Sequence, residues 1–163
     1  MNNILENIVT QIGAAHLIVS KNALTRENCR ADLTGIPTDK VVVDMDAVFP
    51  SGQRGQKQCD YVIFFLNTSE DTCFAVPIEL KRGTIKGARA QLQQGADFAA
   101  RYVPRGCKTI CVPILFHKGL STFAHRALQK RKVRFRGANM TVETTRCGAN
   151  RNLAAVLPQS SLR

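Results

Sequence analysis

Two apolar runs joined by a short polar turn, then an amphipathic stretch and a third apolar run, leave few folds open to this chain of 163 residues. The runs are Cys59 to Leu66 and Cys73 to Lys81, with Asn67 to Thr72 as the turn, and they predict an antiparallel hairpin. Val41 to Phe49, closed by Pro50-Ser51-Gly52, predicts a strand before them, so that the three form a meander. Thr84 to Val103 then places Ile85, Ala88, Leu92, Ala96, Ala99 and Val103 on one stripe and Lys86, Arg89, Gln93, Asp97 and Arg101 on the other side. This is the pattern of a helix with one buried face, ended by Pro104 and Gly106. Ile110 to Phe116 is continuously apolar, as a strand buried on both faces is. Strand, helix and strand in this order imply a crossover to a parallel neighbour.

The rest of the chain completes the outline. Leu5, Ile8, Val9, Ile12 and Ala15 recur at helical spacing and predict a helix over 2–17. Ser20 to Lys40 is polar, contains Gly35 and Pro37, and reads as loop. Ser121 caps a short helix reaching Gln129, and Lys132 to Arg136 and Met140 to Arg146 read as two late strands. The expected fold is one α/β domain over 1–163, a mixed central β-sheet flanked by helices.

The first apolar stretch is interrupted by Glu6, Gln11 and His16 and has no basic lead-in, unlike a signal peptide. No apolar run approaches the roughly 20 residues that span a bilayer. A cytoplasmic protein with no membrane partner is expected. The six cysteines lie mostly in or beside apolar runs, without a CxxC pair, and are expected to be reduced, buried thiols rather than disulfides or a zinc site.

The formal net charge of +11 is unevenly placed. Residues 1–100 hold 10 Lys/Arg against 11 Asp/Glu, whereas residues 101–163 hold 13 Lys/Arg and one acid, Glu143. A polyanionic partner suits that distribution, because each cation near a phosphate releases bound counterions. A basic surface that binds nothing in particular is the alternative. Within this region Lys130 to Arg136 has a two-residue period. As a strand it would carry Lys130, Lys132, Arg134 and Arg136 on one face and Val133 and Phe135 on the other. That is a ridge suited to a phosphate backbone, or a solvated edge strand protected by its charge. Arg54, Lys57 and Arg82, beside the apolar strands, join them as candidate nucleic-acid contacts.

Chemistry concentrates where the two apolar runs meet. Residues two apart on a strand share a face, so Glu79 and Lys81 point one way while Ile78 and Leu80 point into the core. Asp60 opens the neighbouring run, and antiparallel pairing through the turn brings it toward Glu79. Two adjacent carboxylates repel and raise each other's pKa. A divalent cation removes the conflict, and oxygen ligands favour Mg²⁺ or Mn²⁺ over zinc. Such an ion can polarise a phosphoryl oxygen and acidify a water, while Lys81 orients that water or stabilises charge on phosphorus. A surface Glu79–Lys81 ion pair with Asp60 in a turn is the structural alternative. Asp44 and Asp46, on one face of the first strand, either extend the acidic pocket or face water. His117 and His125 have no partner at telling spacing and read as structural or surface residues. No P-loop, nucleophile elbow or dinucleotide fingerprint is present.

The segments Cys59-Asp60-Tyr61-Val62-Ile63-Phe64-Phe65 and Pro77-Ile78-Glu79-Leu80-Lys81-Arg82-Gly83 resemble the PD-(D/E)xK nuclease superfamily. There an acid begins one strand, (D/E)xK lies on the next, and a helix and a buried strand follow. The resemblance covers about residues 40 to 117, with Cys59 in place of the motif's proline. It implies a restriction-endonuclease-like fold and a metal-dependent endonuclease or exonuclease that hydrolyses phosphodiester bonds of DNA, with RNA open as a substrate. Asp60 and Glu79 would bind Mg²⁺ or Mn²⁺, and Lys81 would be the catalytic lysine. Members often add an acid from the first helix. Glu6 is the candidate for that metal ligand, beside its plain reading as a solvent-facing residue. Some place a glutamine near the attacking water on the helix after ExK, a position Gln91 holds, with Gln93 and Gln94 close by. Many members act as homodimers. A non-catalytic nucleic-acid-binding module on the same fold and a protein-interaction subunit are the competing functions.

Overall fold

Residues 2–18, 22–50, 57–148 and 152–158 are described by a computed structural model. The helix α1 (Asn2–Ile12) stops before Gly13, whose φ of 91° lies outside the helical region, and a single 3-10 turn follows at Ala14–His16. Within the stretch expected to be loop, β1 (Ala23–Arg26) and β2 (Cys29–Asp32) form a hairpin. Its turn residues Glu27 and Asn28 both have positive φ, 47° and 60°, the mirror-image turn that matches the twist of paired strands. Strands this short show no periodicity in sequence.

β3 (Lys40–Asp44) ends five residues before the expected Phe49. The Asp44 carboxylate accepts the N–H of Asp46 at 3.0 Å and caps a one-turn helix, α2 (Met45–Val48), in place of further strand. β4 (Tyr61–Asn67) and β5 (Thr72–Lys81) follow, then α3 (Ala88–Tyr102). α3 starts at Ala88 rather than Thr84 because Gly87, at φ 83°, is left-handed. Next come β6 (Thr109–Cys111), β7 (Ile114–His117), α4 (Thr122–Lys130), β8 (Val133–Phe135), β9 (Ala138–Met140) and β10 (Glu143–Arg146). The expected cap is present: Ser121 Oγ accepts the N–H of Ala124.

The main sheet is mixed, with order β10-β7-β5-β4-β3 and β6 also paired to β5. β3, β4 and β5 are antiparallel, as the meander requires, whereas β6 and β7 run parallel to β5, and β10 runs parallel to β7. The apolar run at 110–116 is two strands rather than one. β6 pairs with Cys73–Ala75 and β7 with Ile78–Lys81, and the break falls where Pro77 and Pro113 each lack an N–H for the ladder.

Alternation along β4 divides two cores. Val62 and Phe64 join Ile8, Leu92, Ala96, Leu115 and Leu128 on one face, while Ile63 and Phe65 join Leu24, Ala31, Ile78, Ile114 and Leu153 on the other. Each large side chain so buried contributes about 1.5–3 kcal/mol. The mixed α/β sheet is as expected, but its helices are not on both faces. Among the described residues all four helices bury apolar residues in the first core, and the second face is closed by the β1–β2 hairpin and the 3-10 turn Leu153–Ala155. α3 lies close to the sheet because Gly95 has no side chain: a Cβ there would stand 2.4 Å from Cys59 Sγ and 2.8 Å from Pro77 Cβ.

The cysteines correct another expectation. Cys29 and Cys147 form a disulfide across 118 residues, joining β2 to the end of β10, while Cys59, Cys73, Cys107 and Cys111 are free. Sequence spacing gave no sign of it, because the two meet only once the hairpin lies over the second core. Among the described residues no helix is long and apolar enough to cross a membrane.

Candidate active site

The β4–β5 register runs from Tyr61↔Ile78 to Asn67↔Thr72, so the residue just before β4, Asp60, comes opposite Glu79. The backbone fixes the meeting. Asp60 N–H donates to the Ile78 carbonyl at 3.1 Å and to Glu79 Oε2 at 3.2 Å, and Leu80 N–H donates to Asp60 Oδ2 at 2.7 Å. Two residues along the same face, Lys81 Nζ lies 2.7 Å from Glu79 Oε1. Glu79 is only 1% exposed, so this pair is not the solvated ion pair of the structural alternative.

Burial and repulsion act on both acids. Asp60 is pushed up to about 6, chiefly by burial, against the opposing pull of the Leu80 N–H, Arg26 and Lys81. Glu79 is pushed up to about 7, by burial first and then by the charge of Asp60, with Lys81 opposing. The positive charge nearby is therefore insufficient to keep two carboxylates ionised at their ordinary values.

Arg26, which lies in the stretch expected to be loop, reaches this group from the hairpin. Its Nη2 lies 2.7 Å from Asp44 Oδ1 and 3.2 Å from Asp46 Oδ2, and its Nε lies 3.8 Å from Asp60 Oδ1. The guanidinium sits over the Tyr61 ring, 5.1 Å from its centroid. Asp44 and Asp46 do not share a strand face, because Asp46 is on α2, and both are bound by Arg26. Nothing in the sequence marked Arg26, since a lone arginine in a polar stretch has no periodic context.

Lys81 lines a cleft of about 240 Å³ together with Lys57, Lys86, Gln91 and Gln94. Gln91 is therefore close to Lys81, but its amide donates to the Gln58 carbonyl at 3.1 Å and so secures the chain entering Asp60. Arg82 is exposed at the end of β5, and Arg54 lies outside the described residues. His117, buried at the end of β7, is the cross-strand neighbour of Lys81 on one side and of Arg146 on the other. Burial, then Arg146 and His125, lower its pKa, and its Nδ1 has no hydrogen-bond partner among the described residues.

Other candidates are placed elsewhere. Glu6 is exposed on α1 beside Asp39 and Lys40, at the far end of β3 from Asp44, about 13 Å of strand away. The basic ridge does not form as one face. Lys130 ends α4, Lys132 Nζ donates to Thr141 Oγ1 at 2.7 Å, and Arg136 donates to the Ala100, Val103 and Pro104 carbonyls at the C-terminus of α3. Lys130, Arg134 and Arg136 are all exposed, but only Arg134 lies within β8, where Val133 and Phe135 are buried as the period required.

Asp60 and Glu79 are the residues that could hold a divalent ion. Among the described residues no group of three or more His, Cys, Asp or Glu side chains is arranged for a metal. A two-carboxylate donor set suits Mg²⁺ or Mn²⁺, which bind through one or two carboxylates and complete their shell with water and phosphate oxygens. Burial, before any repulsion, raises the pKa of both acids, and a cation bound there would favour their charged forms, so the donor set fits such an ion. No family model, curated protein or solved structure matches the chain.

Proposed function

We propose that the chain is a metal-dependent nuclease of restriction-endonuclease-like fold that hydrolyses phosphodiester bonds of DNA. The observation that carries this reading is the contact of Asp60 with Glu79 across two antiparallel strands, with Lys81 bound to Glu79 on the same face. The order of elements, from β4 and β5 through α3 to a buried parallel β7, agrees with the PD-(D/E)xK resemblance. When bound between the acids, Mg²⁺ or Mn²⁺ supplies Lewis acidity toward a phosphoryl oxygen and lowers the pKa of water. Asp60 and Glu79 would hold that ion through their carboxylate oxygens. Lys81, held by Glu79 at 2.7 Å on the same face, would orient the attacking water or stabilise the charge that grows on phosphorus. Lys57 and Lys86 across the cleft, with the basic C-terminal part of the chain, favour a polyanionic substrate.

The test is incubation with supercoiled plasmid, linear duplex, single-stranded and branched DNA, and matched RNA, in Mg²⁺ or Mn²⁺. Cleavage is expected to stop with a chelator and to fall by about two orders of magnitude or more in Lys81→Ala. Cleavage that continues in chelator, or at full rate in Lys81→Ala, would sink the mechanism. Salt-dependent binding without cleavage in either metal would leave a binding module on the same fold.

A further inference from the structure

One large apolar side chain among the described residues is exposed: Phe123, with 84% of its surface in solvent. It sits in the first turn of α4, whose single buried residue is Leu128. At 3.6 residues per turn, Phe123, Arg126 and Lys130 fall within about 60° of one another, and Leu128 lies on the opposite side. The outward stripe of α4 is thus an aromatic ring followed by two cations. Arg126 and Lys130 are exposed and form no ion pair among the described residues, and Arg131 continues the positive charge beyond the helix. From residue 101 onward the chain has one acid, Glu143.

The position of α4 connects this stripe to the candidate active site. α4 follows β7 after four residues, and the last residue of β7, His117, is paired with Lys81. His125, in the first half of α4, is near enough for its charge to act on His117. The N-terminal half of the helix, where Phe123 lies, is therefore at the same end of the sheet as Glu79 and Lys81.

We infer that the outer face of α4 is a binding platform for single-stranded or frayed DNA, with Phe123 stacking on an unpaired base and Arg126 and Lys130 on the adjoining phosphates. Charge complementarity selects a polyanion, and the exposed ring selects among polyanions: a duplex hides its base faces, whereas a single strand offers one per nucleotide. The inference rests on the nuclease reading for its choice of DNA, and it names the substrate class of that site.

The test is fluorescence anisotropy with the full chain in EDTA, which separates binding from cleavage, using labelled oligothymidylate and a duplex of equal length. Phe123→Ala is expected to weaken oligothymidylate binding by about 5- to 150-fold and duplex binding far less, and Phe123→Tyr to restore it. Arg126→Ala and Lys130→Ala are expected to weaken both and to lower the salt slope by about 1 each. Since Phe123 is exposed, its loss leaves the fold intact, which a thermal melt checks. Equal oligothymidylate affinity in wild type and Phe123→Ala overturns the platform, and metal-dependent plasmid cleavage in the same preparation would show that the nuclease reading survives it. Tighter binding of oligouridylate than oligothymidylate overturns the choice of DNA. Absence of oligonucleotide binding at low salt overturns the platform and leaves α4 to an acidic protein.

Discussion

Arg26 approaches Asp60 from outside the main sheet, with its Nε 3.8 Å from Asp60 Oδ1 and its Nη2 shared between Asp44 and Asp46. One guanidinium thus faces three carboxylates, and the hairpin that carries it is held by the Cys29–Cys147 disulfide, Cys29 being the cross-strand partner of Arg26. The acid expected to bind metal is therefore oriented from two sides, by the Leu80 N–H within the sheet and by Arg26 across it.

Replacing Arg26 with Ala leaves these carboxylates facing each other. Such a partly buried network loses about 1–3 kcal/mol, between the values for exposed and buried pairs. The Asp60 pKa is expected to rise further from about 6, because a lowering charge is gone. Arg26→Lys keeps the charge but not the fork and should recover the pKa more than the stability. Urea unfolding and carboxyl NMR titration check this; an unmoved Asp60 in Arg26→Ala would show that the arginine does not act on it.

In metal-free protein the acid pair makes stability fall as pH rises. Asp60 and Glu79 titrate at about 6 and about 7 in the folded state, above their ordinary values. Between about pH 4 and about pH 7 the folded chain then binds more protons than the unfolded one, and the slope of stability against pH is negative. Melts in EDTA should show this loss, at least about 1 kcal/mol, as the difference between wild type and Glu79→Gln. Above about pH 7, Mg²⁺ or Mn²⁺ should raise the melting temperature of wild type and not of the variant. Parallel pH profiles for the two proteins would contradict the assignment.

Gly95→Ala tests the seating of α3. Alanine in a helix ordinarily gains about 1 kcal/mol over glycine. Here its Cβ would stand 2.4 Å from Cys59 Sγ, next to Asp60, so the net effect is expected to be a loss of about 1–3 kcal/mol. An unfolding midpoint equal to or above that of wild type would mean that α3 sits farther from the sheet.

Thiol counting tests the disulfide. Unfolded in the absence of reductant, the chain should show free thiols only at Cys59, Cys73, Cys107 and Cys111. Reduction, or the double variant Cys29→Ser/Cys147→Ser, should lower stability by about 2–4 kcal/mol. Finding all six thiols free in protein prepared under air would remove the clamp on the hairpin. Persistent disulfides are rare in the cytosol, so the same count bears on the compartment.

What the sequence disclosed follows from which forces are local. The apolar runs of β4 and β5, the stripe of α3 and the Ser121 cap are written in neighbouring residues, and the alternation of Ile78, Glu79, Leu80 and Lys81 sets their faces. Asp60 could be placed opposite Glu79 because one short turn sets their register. Arg26, Cys29 and Cys147 could not be read in the same way, because they meet through the docking of a hairpin on a distant core. The basic period at 130–136 misled for a related reason: Arg136 is drawn to the carbonyl ends of α3, a partner more than thirty residues earlier.

The closure of the second core also sets an order of events. Ribosomes deliver the hairpin first, and domains fold as they emerge. Yet the residues that hold it, Cys147, Gly148 with its N–H on the Arg30 carbonyl, and Asn152 bridged to Asp32, follow more than a hundred residues later. A nascent chain interrupted before Cys147 would contain Asp60, Glu79 and Lys81 in full but have no covalent hold on the arm bearing Arg26. Formation of that clamp thus waits on the synthesis of Cys147, and shorter products of this chain are left with the acids and without it.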